Sequence, residues 1–205
     1  MNRNKIEILG LMSGTSLDGL DIAHVSFDFS SEETTFKLLH NQTFTYPSEL
    51  VDKLKNACDF SIVDFLKLDK ELGAHFAQCI LQFIEENGID KKRLSAIASH
   101  GHTIFHQPEQ GFTSQIACGS TIAYRCGIPV INDFRSLDVI AGGQGAPDTD
   151  GLDRGCGQPG GHDDHRARAS NGLIRRSVCE RFRVCRRLAS QMTGFEGTET
   201  FRNWI

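Results

Sequence analysis

Leu9-Gly10-Leu11-Met12-Ser13-Gly14-Thr15-Ser16-Leu17-Asp18-Gly19-Leu20-Asp21 joins an apolar run to a hydroxyl-rich, glycine-punctuated turn that carries two carboxylates. Ile6 to Met12 reads as a short buried strand. The turn places Gly14 and Gly19 where backbone amides can approach a phosphate without a Cβ in the way, and Ser13, Thr15 and Ser16 add hydroxyl donors to the same concavity. Two carboxylates repel a bare phosphate. At least one of Asp18 and Asp21 is therefore expected to hold hydrated magnesium bridging the phosphates, and Asp18 is the expected metal residue. The plainer reading is a hairpin whose Gly and Asp residues only turn the chain, but such turns seldom need three hydroxyls and two carboxylates together.

Outward from this turn, residues 5–12, 20–29 and 34–45 read as three successive strands, a meander with a turn at Ser30-Ser31-Glu32-Glu33. Pro47 opens a helical stretch to about Cys58. A longer helix spans about Ser61 to Asn87, where Phe65, Leu68, Leu72, Phe76, Cys79, Ile80 and Phe83 recur at three- and four-residue steps before Gly88 ends it. Leu94 to Ser99 reads as a buried strand followed by a His-rich loop. A brief strand at Gln115-Ile116-Ala117, a helix from about Ser120 to Cys126 and a strand from Pro129 to Asn132 complete the pattern. That order predicts an α/β fold, a mixed sheet with helices on its faces.

Three blocks carry a resemblance. Gly10-Leu11-Met12-Ser13-Gly14-Thr15-Ser16-Leu17-Asp18-Gly19-Leu20-Asp21 resembles the opening motif of the anhydro-N-acetylmuramic acid kinases. Ser99-His100-Gly101-His102-Thr103 is similar to the family's S-H-G-Q-T run. Asp133-Phe134-Arg135-Ser136-Leu137-Asp138 and Ala141-Gly142-Gly143-Gln144-Gly145-Ala146-Pro147 are similar to its D-F-R-x-x-D and A-x-G-G-Q-G-A-P signature. Three ordered blocks are far more specific than a lone glycine pattern. The resemblance runs from about Ile6 to Pro147 and implies the actin-like ATPase, ribonuclease-H-like half of a sugar kinase, with the second half missing. It further implies an ATP- and Mg2+-dependent enzyme that opens the 1,6-anhydro bond of its amino sugar with water while phosphorylating O6, in cell-wall sugar recycling.

By the same resemblance, Gly14, Thr15, Ser16, Leu17, Asp18, Gly19, Leu20 and Asp21 contact ATP. His100, Thr103, Asp133, Arg135, Asp138 and Gln144 are the expected sugar contacts, donors and acceptors following strands, and Arg135 suits a muramyl carboxylate. His102 and His106 are expected to be hydrogen-bonded loop histidines, not metal ligands. Two departures touch the sugar contacts: His102 stands where the family usually has Gln, and Ala117-Cys118-Gly119 replaces I-G-D or I-G-E. The family's catalytic base lies in a G-F-D-T-G-P-G-N-like segment that residues 148–205 lack, so no general base is assigned.

Composition changes after Pro147. Residues 1–147 hold eight Lys and four Arg, whereas residues 148–205 hold no Lys and ten Arg. The latter stretch has only ten Leu, Ile, Val and Phe and no helical or strand period, apart from a short helix candidate at Ser177 to Gln191. Two regions are therefore expected, 1–147 as a kinase half-domain and 148–205 as a disordered or frameshifted tail. A truncated and inactive kinase follows, with a non-catalytic phosphate- or sugar-binding remnant, a non-functional fragment or a genuine arginine-rich interaction tail as alternatives. A net charge of -4 speaks against nucleic-acid or membrane-surface partners. Seven cysteines without a C-x-x-C pair suggest neither disulfides nor zinc, and with no signal-peptide core a cytoplasmic protein is expected. The partner expected is a small amino sugar; the resemblance allows a homodimer in the intact family, and no oligomeric state is assigned to this chain.

Overall fold

The computed structural model describes residues 5–31 and 34–145. β1 (Lys5–Ser13), β2 (Leu20–Asp28) and β3 (Thr35–Phe44) form the expected antiparallel meander. Leu9, Leu11, Leu20 and Ile22 are completely buried in it.

α1 (Ser48–Lys55) begins one residue later than the sequence suggests, because Pro47 is its N-cap, and a separate 3-10 turn covers Ala57–Asp59. α2 (Ile62–Glu86) matches its expected span. Ser61 Oγ accepts the Asp64 amide at 3.2 Å and donates to the Asp64 carboxylate at 2.7 Å, closing the first turn. At the far end the Ile89 amide reaches the Ile84 carbonyl at 2.9 Å and the Gly88 amide reaches Glu85 at 3.2 Å, with Gly88 left-handed at φ +61°. This paired cap is why the helix stops there. The apolar stripe is buried from Leu68 through Phe83, while Phe65 is half-buried.

β4 (Leu94–Gln107) corrects the sequence reading: the strand does not end at Ser99, and His100 to His106 lie within it. Gly101 absorbs the irregularity at φ +76°, where a Cβ would stand 2.5 Å from the Ile116 carbonyl oxygen, and the register with β1 shifts between Leu11 and Ser13. Buried Ser99, His102 and Thr103 replace the aliphatic residues that would have signalled a strand.

β5 (Phe112–Ile116), α3 (Gly119–Cys126), β6 (Val130–Ile131) and α4 (Ser136–Ile140) follow. The sheet order is β3-β2-β1-β4-β5, with β6 also on β4, and both β1–β4 and β4–β6 are parallel. This is the predicted mixed sheet flanked by helices. α2 and α3 close on each other at Gly73, whose Cβ would stand 2.9 Å from the Cys118 carbonyl oxygen.

Among the described residues two compact units emerge, one of residues 5–31, 34–104 and 115–133, the other of 105–114 and 134–145. The expected boundary at 147 and the helix candidate at Ser177 to Gln191 lie outside the described residues. Among the described residues no helix is long and apolar enough to cross a membrane.

Candidate functional site

In the first unit, the β1–β2 turn is held from both sides. Ser13, the last residue of β1, is only 1% exposed. The Tyr46 hydroxyl donates to Ser13 Oγ at 2.6 Å, and Ser13 stands 2.8 Å from His102 Nδ1. Burial pushes the Tyr46 hydroxyl far above its ordinary value, so it stays a neutral donor. Both contacts tie Ser13 Oγ to side chains from distant segments of the chain. Ser13 is thus a structural pin and not the exposed hydroxyl donor the sequence suggests. His102 is hydrogen-bonded as expected, but as a strand residue 3% exposed, placed opposite Ser13 by the β1–β4 register.

On the other side, Thr43 of β3 donates to Asp21 Oδ1 at 2.5 Å. Asp21 is 4% exposed, and burial raises its pKa, with the Thr43 bond opposing and the Asp18 charge adding to the rise. Between these pins, the Leu17 amide bonds the Gly14 carbonyl at 3.2 Å and Leu17 is left-handed at φ +60°. Thr15, Ser16 and Asp18 are exposed, Gly14 and Leu17 half-buried, and Leu20 fully buried. At Gly19 the close approach is made by the chain itself, since a Cβ would stand 2.2 Å from the Phe44 carbonyl oxygen. The groups left to meet a ligand are hydroxyls and one carboxylate, a donor set that suits phosphate oxygens and a hard cation.

His100 and Thr103 lie on β4 in the same unit. The half-buried His100 donates from Nδ1 to the Gly101 carbonyl at 3.0 Å, and buried Thr103 accepts from Gln115 Nε2 at 3.4 Å. Asp133 is exposed and left-handed at φ +58°. The remaining expected sugar residues belong to the second unit. There Asp138 Oδ2 accepts the Gly145 amide at 2.8 Å, and a Cβ on Gly143 would stand 2.2 Å from that same oxygen. Asp138 thus anchors its own loop, with Arg135 half-buried before α4 and Gln144 exposed. His106 Nδ1 donates to Thr113 at 3.1 Å.

Sequence reasoning missed Tyr46 and Thr43. Their only local signal was position: Thr43 lies at the end of β3 and Tyr46 just after it, which the meander brings beside the β1–β2 turn. Among the described residues no three His, Cys, Asp or Glu are grouped to hold a metal.

A mixed sheet flanked by helices, with a pinned hydroxyl- and carboxylate-bearing hairpin after its central strand, defines a sugar-kinase ATPase-like fold. The family model for anhydro-N-acetylmuramic acid kinase matches residues 6–155, eight residues beyond Pro147, and the chain belongs to that family. Curated relatives bear the same name. The protein of Francisella tularensis subsp. novicida is 39% identical over 147 residues, covering 68% of this chain and 39% of the relative. That of Shewanella amazonensis is 42% identical over 144 residues, 68% of this chain and 38% of the relative. That of Vibrio vulnificus strain CMCP6 is 38% identical over 144 residues, with the same coverage as the Shewanella protein. The chain therefore spans about two-fifths of the length of the curated relatives it matches.

Proposed function

We propose that residues 14–21 form the phosphate-holding hairpin of an ATP-dependent anhydro-N-acetylmuramic acid kinase. The reaction opens the 1,6-anhydro ring with water and phosphorylates O6, and its setting is cytoplasmic recycling of cell-wall amino sugars. The observation that carries this reading is the division of labour in the turn. Ser13 and Asp21 are buried and tied to Tyr46, His102 and Thr43, while Thr15, Ser16 and Asp18 are exposed between them. Fixed flanks and exposed polar groups are what electrostatic positioning of a phosphate needs.

Asp18 would hold Mg2+, which would offset phosphate charge, and the Thr15 and Ser16 hydroxyls would donate to phosphate oxygens. Asp21 would orient the strand that follows. On the sugar side we assign His100, Thr103, Asp133, Arg135, Asp138 and Gln144, with the Arg135 guanidinium facing the muramyl carboxylate.

Titration calorimetry with Mg·ATP and Mg·ADP tests the hairpin. Saturable, magnesium-dependent heat is expected, with affinity at least about tenfold weaker in Asp18→Asn; heat independent of magnesium and of this substitution refutes the assignment. The absence of a G-F-D-T-G-P-G-N-like segment from residues 148–205 favours a second reading, a binding-only chain. It predicts heat with the anhydro sugar but no phosphotransfer above background, and sugar-dependent turnover of ATP by this chain removes it.

A further inference from the structure

We propose that the cleft between the β2–β3 ladder and the C-terminal end of α2 binds a neutral, hydroxyl-rich small molecule of the monosaccharide class, at a site separate from the phosphate turn. The topology of the chain builds its walls. His24 on β2 and His40 on β3 are direct cross-strand partners, and Glu7 of β1 completes the sheet side. Asp90 and Arg93 line it from the segment that links α2 to β4. The cleft measures about 300 Å³, at the lower end of small-ligand pockets and enough for one sugar ring.

The decisive atom is His24 Nδ1. His24 is 4% exposed, and this nitrogen is buried with no protein hydrogen-bond partner. The opposite ring nitrogen, Nε2, lies 3.1 Å from Glu7 Oε2. Burial lowers the His24 pKa, so the ring is neutral at neutral pH and has a single N–H. The Glu7 carboxylate, held also by the Arg93 guanidinium, accepts that N–H. Nδ1 is therefore a buried lone pair, which costs free energy until an O–H or N–H donor meets it. The His40 ring lies over His24, nearly parallel at 10° with centroids 5.6 Å apart. His40 is exposed, and exposed side chains exchange rotamers within nanoseconds, so it is the group that turns aside to admit a donor.

The rest of the lining decides what carries that donor. Lys37 and the remaining N–H groups of Arg93 offer donors and positive charge, which works against a cation. The His24 lone pair, Asp90 and the carbonyl end of α2 offer acceptors and negative potential, which works against an anion. Neither sign of charge is matched, whereas a hydroxyl both donates and accepts. Several hydroxyls on one rigid ring satisfy such alternating groups together. One donates to His24 Nδ1, and its neighbours accept from Lys37 and donate to Asp90, whose Oδ1 already accepts the Lys92 amide at 3.0 Å.

The test is a nuclear magnetic resonance titration of the isotope-labelled full chain with glucose, reading backbone amides and imidazole nitrogens. Saturable shifts are expected at Lys37 to His40 and at Gly88 to Asp90. The His24 Nδ1 resonance should move upfield, as an acceptor nitrogen does when it gains a donor. Lys37→Ala, at an exposed position, is expected to weaken binding about threefold to tenfold. Inorganic phosphate and ammonium are the charged controls and should not saturate these shifts. The proposal is overturned by the absence of saturable shifts with glucose, by a stationary His24 Nδ1, or by unchanged affinity in Lys37→Ala. Saturation by phosphate or ammonium in place of glucose, or glucose shifts confined to residues 14–21, overturns it equally.

Discussion

The two glycine-bearing turns, residues 14–19 and 142–145, are held in opposite ways. The first is pinned by side chains from other segments, so Asp18 and its neighbouring hydroxyls stay exposed. The second is pinned from within by Asp138, a carboxylate that by resemblance belonged to the sugar contacts. A carboxylate beside a glycine turn can serve a ligand or hold the turn, and the identity of the amide donor decides which. The Asp138 carboxylate has one oxygen committed to Gly145, and only its remaining acceptor capacity is open to a sugar.

The sharpest break of this comparison is steric. Gly19→Ala drives a Cβ to 2.2 Å from the Phe44 carbonyl oxygen, which is backbone and cannot rotate away. A loss of about 3 kcal/mol or more in urea unfolding is expected. Gly142→Ala meets nothing within 4 Å and faces only the left-handed backbone at φ +82°, so about 1 kcal/mol is expected there. Equal costs would erase the distinction between a turn packed on its own chain and an open one.

Next in size is Ser13→Ala. It removes the acceptor of the buried Tyr46 hydroxyl and the Ser13 contact of His102 Nδ1, at about 2–4 kcal/mol together. Weakened Mg·ATP binding should accompany it, because the turn loses its entry pin. A variant with full stability and unchanged binding would show that the network supports nothing.

Asp138→Ala should cost about 1 kcal/mol by freeing the Gly145 amide, whereas Asp138→Asn keeps an acceptor and should be close to neutral. If Asp138→Asn is stable yet loses sugar affinity in titration calorimetry, the carboxylate serves the ligand as well as the loop. If both measurements are unmoved, its role is confined to the loop.

These contrasts also show what the sequence could and could not disclose. The meander and α2 were legible because one buried face imposes a period of two or about 3.6 on apolar residues such as Leu9, Leu11, Leu68, Leu72 and Phe76. β4 was half hidden. It has neighbours on both sides, and from Ser99 onward its buried positions are serine, histidine and threonine, whose burial depends on partners contributed by distant segments. α4 is five residues long, too short to show a period. At the site, the turn's polar content was legible as composition, but which hydroxyls face outward was not. Ser13 differs from Thr15 and Ser16 only because Tyr46 and His102, 33 and 89 residues away, reach it.

The smallest effect separates the two carboxylates of the first turn. Burial raises the pKa of Asp21, so the folded chain holds that proton more tightly than the unfolded chain. Its favourable contribution is complete below the ordinary value of 3.8 and is lost as pH rises through the folded value. At neutral pH the ionised group is a cost, which Asp21→Asn removes while retaining an acceptor for Thr43. A higher Tm for Asp21→Asn at pH 7, converging on the parent as pH falls toward 3.8, is the expected result. His24 and His75 work the other way, because burial lowers both and their contribution fades as pH falls below about 6.5. The parent's own acid profile therefore mixes opposite slopes, and only the difference between variant and parent isolates Asp21. Asp18→Asn, on an exposed residue, should stay within about 0.5 kcal/mol of the parent. A turn in which Asp21→Asn gains stability and Asp18→Asn changes only magnesium-dependent binding has its supporting and ligand-facing carboxylates assigned by measurement.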